Sequence, residues 1–283
     1  MNPKILNSLI QQALKEDIGS YDVTTTLLIP KNHISSAYIL CKQDAIFCGM
    51  DVAQKLFQKL DKRIQFCSPY QDGAKVKKNT RIIFLRGRTQ AILTVERVAL
   101  NFLSHPSGIA TLTDQFVQRV KPCRVEILST RKTTPRLRIL EKYAVRCGGG
   151  HNHRENLSEM VLIKDNHLAA CRALGLSLSA AIEAVQQKTS KKIEVEVTAL
   201  NQFREALSAN PDIILLDNMT PAAMKKAVDW RNRFSSRKKI LLEASGGVTL
   251  KNLEKIAHTG VERISIGALT HSSKAINLSL EIE

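Results

Sequence analysis

Between about residues 123 and 266 the chain alternates short, almost wholly apolar runs with amphipathic stretches, and few architectures accept that order. The runs are Arg124–Leu128, Met160–Ile163, Ile193–Val197, Ile213–Leu216, Ile240–Leu242 and Arg263–Ile266. Segments 178–188, 199–208, 220–232 and 249–258 have helical spacing and separate the later runs. A strand that is apolar on both faces must be covered on both, and an intervening helix makes successive strands parallel. Six strands are plain, and a weak seventh is expected within 133–159. Periodicity alone leaves an open doubly wound sheet and a barrel both standing.

The earlier part of the chain reads differently. Residues 3–17 place apolar side chains at helical spacing, with Pro3 suited to a first turn, and a second helix is expected near 51–60. Runs 36–41, 63–67 and 81–86 are rich in β-branched or aromatic residues, which predicts a small mixed sheet with helices on one face. Segments 89–104 and 107–120 read as two helices broken at Pro106. The tail, Asn277–Ile282, alternates apolar and polar residues as an added strand should.

Composition narrows the function classes. With 43% hydrophobic and 24% charged residues in 283, the chain can bury a core. Its longest apolar run is Ala37–Cys41, five residues against the ~20 that span a bilayer, so no membrane partner is expected. Residues 1–7 contain no apolar signal-like stretch, and a soluble cytoplasmic protein is the expectation. Lys and Arg number 42 against 26 Asp and Glu, a net +16 that asks for anionic partners. Aromatics are only 5%, and no basic helix interleaves with them, so nucleic acid is not the expected partner. Six cysteines stand at 41, 48, 67, 123, 147 and 171 without a C-x-x-C pair, and they read as reduced, mostly buried thiols.

Nearly every unusual polar cluster follows an apolar run. Leu128 leads to Ser129-Thr130-Arg131-Lys132, and Ile163 leads to Lys164-Asp165-Asn166-His167. Glu194 and Glu196 share one face of their strand, Asp217 follows Leu216, and Glu243-Ala244-Ser245-Gly246-Gly247 follows Leu242. Gly267 follows Ile266. In a parallel α/β barrel these positions form the mouth, where ligands bind. A carboxylate in a buried strand is costly unless paired or metal-bound, so Glu194 and Glu196 read either as lysine ion pairs or as ligand groups. Glu196, nearer the mouth, suits ribose hydroxyls or a cation, and Asp217 suits the same; Mg²⁺ takes few carboxylates and fills its shell with phosphate and water. Gly246, Gly247 and Gly267 let backbone approach a phosphate. Arg131, Lys132, Arg154 and Lys164 would clamp an acidic ligand. His151, His153 and His167 raise zinc as a rival, against which Arg154 stands. A lysine at a strand end, Lys164, also raises Schiff-base chemistry.

These residues resemble one family over nearly the whole chain. Thr130-Arg131-Lys132-Thr133-Thr134-Pro135, Glu141 to Gly150, Asn152-His153-Arg154 and Ile163 to His167 are similar to the signature of the quinolinate phosphoribosyltransferases. The likeness extends from Glu16-Asp17-Ile18-Gly19 through Glu96-Arg97 and Ser107 to Thr111, ending at Glu243 to Gly247 and Gly267-Ala268-Leu269-Thr270-His271-Ser272. It departs at Ser20-Tyr21, at His105-Pro106, at Arg136, where the family has glycine after proline, and at Asn156, another family glycine.

The resemblance implies an α/β protein: an N-terminal α/β sandwich over 1–107, joined by a returning strand in 275–283, and an incomplete, seven-stranded α/β barrel over 108–274. It implies transfer of the 5-phosphoribosyl group from phosphoribosyl pyrophosphate to quinolinate, with loss of CO₂. Lys132, Lys164, Glu196 and Asp217 would be catalytic. Thr130, Arg131, Lys132, His153, Arg154 and Lys164 would bind quinolinate and pyrophosphate; Ser245, Gly246, Gly247, Gly267, Ala268 and Leu269 would hold the 5-phosphate. Glu196 and Asp217 would serve the ribose and Mg²⁺, with no organic cofactor. Arg97 would reach the neighbouring site of a homodimer, or of a hexamer built from such dimers. A molybdenum-gene-associated homologue of the same fold is the nearest alternative.

Overall fold

The computed structural model describes residues 3–235 and 238–283. Its strands, in chain order, are β1 (Ile34–Cys41), β2 (Ala45–Ile46), β3 (Gln65–Cys67), β4 (Lys75–Val76), β5 (Thr80–Arg88), β6 (Glu126–Ser129) and β7 (His151–Asn152). They continue as β8 (Val161–Ile163), β9 (Ile193–Val197), β10 (Ile213–Asp217), β11 (Leu241–Ser245), β12 (Arg263–Ser265) and β13 (Leu278–Ile282). Contacts divide the chain into two units: Met1–Asp114 with Thr133–Gly149 and Ala268–Glu283, and Gln115–Lys132 with Gly150–Gly267.

In the first unit the sheet runs β13-β1-β5-β3, with antiparallel pairs throughout. Alternate residues of β1, namely Ser35, Ala37, Ile39 and Cys41, turn inward, the period-two burial of a sheet with one covered face. Against it pack Leu6, Ile10 and Leu14 of the helix Pro3–Ile18 and Val52, Ala53, Leu56 and Phe57 of the helix Met50–Leu60. The tail forms β13 and pairs with β1 from Ala37↔Ile282 to Cys41↔Leu278.

Two expectations are corrected here. The thiols are not mostly buried: Cys41 and Cys48 are, whereas Cys67 is exposed and Cys123, Cys147 and Cys171 are partly exposed. Pro106 does not separate two helices: a single helix runs Thr89–Arg119 with the proline inside it. Leu103, Ile109 and Ala110 are fully buried on either side, so packing holds the helix straight through the missing N–H. The expected domain boundary at 107/108 thus falls within one continuous helix.

In the second unit, seven parallel strands take the order β7-β6-β12-β11-β10-β9-β8. β7 and β8, consecutive in sequence, are the two edges, and the sheet is therefore an incomplete barrel. The weak seventh strand expected within 133–159 is β7, and the same stretch also holds a helix, Arg138–Cys147, that the spacing did not announce. Every residue of β9 is buried, as a strand covered on both faces requires.

Candidate active site

All strands of a parallel sheet end on the same edge, so register alone gathers the polar clusters of the second unit. Thr130-Arg131-Lys132 follow β6, His153-Arg154 follow β7 and Lys164 follows β8. Glu196 is the penultimate residue of β9, Asp217 ends β10 and Ser245 ends β11, with Asp217 paired to Ser245 and Leu215 paired to Glu196. Gly267 comes two residues after β12. Arg97 lies exposed on the long helix, and Ala268 and Leu269 open the short helix Ala268–His271; all three belong to the first unit.

The edge carries both charges. Lys164 Nζ donates to Glu196 Oε2 at 2.8 Å, with the carboxylate buried and the lysine half exposed. Asp217 accepts from the side chain of Asn218 at 2.8 Å. Arg154 is buried and donates to the Met160 carbonyl at 3.0 Å. Burial first, and then the like charge of Arg131, pull its guanidinium below its ordinary value, and the opposite charge of an arriving anion would offset both. After β11 the chain passes through Gly246 and Gly247, with φ of +85° and +57°. A Cβ on Gly246 would sit 2.2 Å from Asn218 Oδ1, so this turn admits only glycine.

Beneath the edge lies a buried cluster that joins His153 and Glu194 to two residues sequence reading left without a role, Glu243 and Arg263. His153 Nε2 bonds Glu194 Oε2 at 2.7 Å and stands 3.6 Å from Glu243 Oε1, while Arg263 Nε is 3.2 Å from Glu243 Oε2. Glu194 therefore takes a histidine partner rather than a lysine. Burial, and then the charge of Glu194, push the Glu243 carboxyl up to about 7. Burial alone would lower His153, but the Glu194 hydrogen bond and the charges of Glu194 and Glu243 outweigh it and hold the imidazole above its ordinary value. The Arg154 backbone N–H donates to His153 Nδ1 at 2.8 Å, which favours the Nε2–H tautomer. Charged residues inside apolar strands were the available signal for Glu194 and Glu243; Arg263, at a strand start, carried none. Two of the histidines weighed as zinc ligands are otherwise engaged, His153 as described and His167 through Nδ1, which accepts the Lys164 backbone N–H at 3.0 Å.

An open parallel α/β barrel with a lysine–carboxylate pair, a second carboxylate, arginines and a diglycine turn at its carboxyl edge defines a barrel enzyme for anionic ligands. Comparison with known proteins makes the class specific. Residues 22–107 match the model of the quinolinate phosphoribosyl transferase N-terminal domain, and residues 109–281 that of its C-terminal domain. The chain is 38% identical to a probable nicotinate-nucleotide pyrophosphorylase (carboxylating) of Bacillus subtilis, covering 100% of this chain and 95% of that protein. It is 39% identical to a mitochondrial quinolinate phosphoribosyltransferase (decarboxylating) of Nicotiana glauca, over 98% of this chain and 82% of the plant protein. The structure of nicotinate-nucleotide pyrophosphorylase from Francisella tularensis superposes with a TM-score of 0.93 at 37% identity, covering 100% of this chain and 98% of that one. The chain belongs to the quinolinate phosphoribosyltransferase family.

Proposed function

We propose that the protein transfers the 5-phosphoribosyl group of phosphoribosyl pyrophosphate to the ring nitrogen of quinolinate, releasing pyrophosphate and CO₂ and forming nicotinate mononucleotide. The observation that carries this reading is the convergence of Arg131, Lys132, Arg154, Lys164, Glu196, Asp217 and the Ser245-Gly246-Gly247 turn on one carboxyl edge. The named relatives point the same way and do not favour the molybdenum-associated alternative.

Cleaving the C1–pyrophosphate bond puts positive charge on the ribose and negative charge on the leaving group. Lys132 and Lys164 meet the second, and Glu196 favours the first. The pyridine nitrogen attacks with its own lone pair, so the site needs to position more than to deprotonate. Once ribosylated, that nitrogen is cationic and receives the electron pair left when the 2-carboxylate departs as CO₂; no organic cofactor is required. Arg131 and Arg154 would hold the dicarboxylate, while His153, whose ring nitrogens meet Glu194 and the Arg154 N–H, would position the Arg154 backbone. Glu196 and Asp217, hard oxygen donors at the ends of adjacent strands, suit Mg²⁺, and Ser245, Gly246, Gly247 and Gly267 suit the 5-phosphate. Mg²⁺ would neutralise charge on the pyrophosphate. The working form in this reading is a homodimer in which Arg97 of one chain completes its neighbour's site.

The test is pyrophosphate release from phosphoribosyl pyrophosphate and Mg²⁺ with quinolinate or nicotinate as acceptor. Quinolinate should be strongly preferred, and Arg131→Ala should remove most of kcat/KM. Preference for nicotinate would sink the proposal.

A further inference from the structure

Two thiols 99 positions apart in sequence meet inside the first unit. Cys48 Sγ, Cys147 Sγ and a carboxylate oxygen of Asp72 all lie within 4.8 Å of one another. Neither cysteine belongs to the carboxyl edge described above, and the reaction proposed for that edge uses neither.

The two partners are held differently. Cys48 is fully buried, and Ser107 clamps its backbone: the Cys48 N–H donates to Ser107 Oγ at 2.9 Å, and that hydroxyl donates back to the Cys48 carbonyl at 3.0 Å. Cys147 is the last residue of the helix Arg138–Cys147, is partly exposed, and is followed by Gly148, Gly149 and Gly150. One thiol is fixed and dry, and the other is the more accessible of the two. Asp72 is fully engaged. Its Oδ1 accepts the Gly49 and Met50 N–H groups at 2.9 and 3.0 Å, and its Oδ2 accepts the Tyr143 hydroxyl at 2.8 Å. A metal would have to break the tyrosine bond to use that carboxylate, whereas a bond between the two sulfurs disturbs none of these contacts.

We propose that Cys48 and Cys147 form a reversible disulfide when the protein meets a peroxide, giving this unit an oxidative modification site. The steps balance. The Cys147 thiolate attacks a peroxide oxygen, the O–O bond breaks, and the sulfur becomes a sulfenic acid as hydroxide takes a proton and leaves as water. The Cys48 sulfur then displaces the second hydroxyl, forming the S–S bond; the thiol proton leaves with that hydroxyl as a second water. The two sulfurs together lose two electrons, and the peroxide is reduced. The order of roles follows from access, and also from charge. The hydrogen bond from Cys48 lowers the Cys147 thiol below its ordinary value, while the same bond and burial raise Cys48. Closing the bond requires the sulfurs to approach to about 2.05 Å, a movement that falls on the Cys147 side of the pair.

The experiment is a non-reducing peptide map of the full-length protein after treatment with hydrogen peroxide and alkylation of the remaining thiols. The expected product is a single linked pair of peptides containing Cys48 and Cys147. Intact mass should fall by two hydrogens, and dithiothreitol should reverse the change. Cys147→Ser should lose the linkage and Cys67→Ser, which alters an exposed thiol elsewhere, should keep it. The map on the unaltered protein decides the matter even where a variant folds poorly. Thiols that stay unreacted, oxygen adducts at single cysteines, or a linkage through another cysteine would each overturn the proposal.

Discussion

Arg136 shows how one side chain can sit against the grain of its backbone. Of the four non-glycine residues with positive φ among the described residues, three are asparagine, which tolerates that region; the fourth is Arg136 at +68°. The Leu137 N–H bonds the Thr134 carbonyl at 3.0 Å, so Thr134-Pro135-Arg136-Leu137 is a turn with proline second and the positive-φ residue third, the place a type II turn reserves for glycine. Arg136→Gly should therefore raise stability by about 1 kcal/mol, read as a higher midpoint in urea. Asn156, where the resemblance leads one to expect glycine, has no such conformation; its side chain accepts the Ser158 N–H at 2.9 Å instead. Glu243 gives a second test at this scale. Facing Glu194, His153 and Arg263, its carboxyl holds a proton to about 7 in the folded chain, against an ordinary 4.5. That contribution to stability is complete below about pH 4.5 and fades as pH rises through 7, because the folded state there binds the proton that the unfolded state has lost. Glu243→Gln cannot titrate, so its Tm should climb relative to the parent between pH 5 and 8, by a few degrees. A gap that stays constant with pH would reject this account.

The long helix Thr89–Arg119 carries the argument at the level of elements. Pro106 cannot donate to the carbonyl of Phe102, and the backbone of Gly49 closes on that same carbonyl: a Cβ at position 49 would stand 2.7 Å from Phe102 O. Gly49 also has φ +113°, so Gly49→Ala meets both a forbidden backbone region and a clash, and should cost about 2 kcal/mol or more by urea denaturation. Two residues past Pro106, Gly108 lies so near the Lys274 carbonyl that its Cβ would approach within 2.1 Å. Such crossings explain what the sequence could announce and what it could not. Periodicity gave the strands from Ile193 to Ser265 within a residue at every end but one, the strand expected at 240–242 running on to Ser245, because their burial on both faces is written residue by residue. It misjudged Pro106, because the contacts that carry the helix past it come from segments far away in the chain. The helix Arg138–Cys147 escaped because its buried face includes Glu141 and Lys142, which look polar in sequence. Glu141 is tolerated inside because His105 Nε2 pairs with it at 3.0 Å and the Thr134 N–H donates to it at 3.1 Å; His105 is thus part of that helix's anchoring. At the site, the groups that follow strand ends were legible because topology orders them. The His153–Glu194–Glu243–Arg263 cluster and the Cys48–Cys147 pair were not, because each depends on register between strands or loops that no local spacing encodes.

At the scale of the whole molecule, the +16 net charge and the proposed exchange of Arg97 between chains invite separate measurements. Clustered positive charge attracts a polyanionic substrate through bulk water, and salt weakens that attraction. KM for phosphoribosyl pyrophosphate should accordingly rise with ionic strength while kcat changes little. Arg97 lies exposed on the long helix rather than inside its own unit, which is how a side chain intended for a neighbour would be displayed. If it completes the partner's site, Arg97→Ala and Lys164→Ala are each inactive for lack of one component. A mixed dimer of the two, however, contains one site with both residues intact and one with neither. Unfolding and refolding an equal mixture makes about half the dimers mixed, and should restore about a quarter of the parent's activity per chain. Refolding each variant alone restores none. A mixture that remains as inactive as its components would place Arg97 in its own chain's site and remove the reason to require a dimer for catalysis.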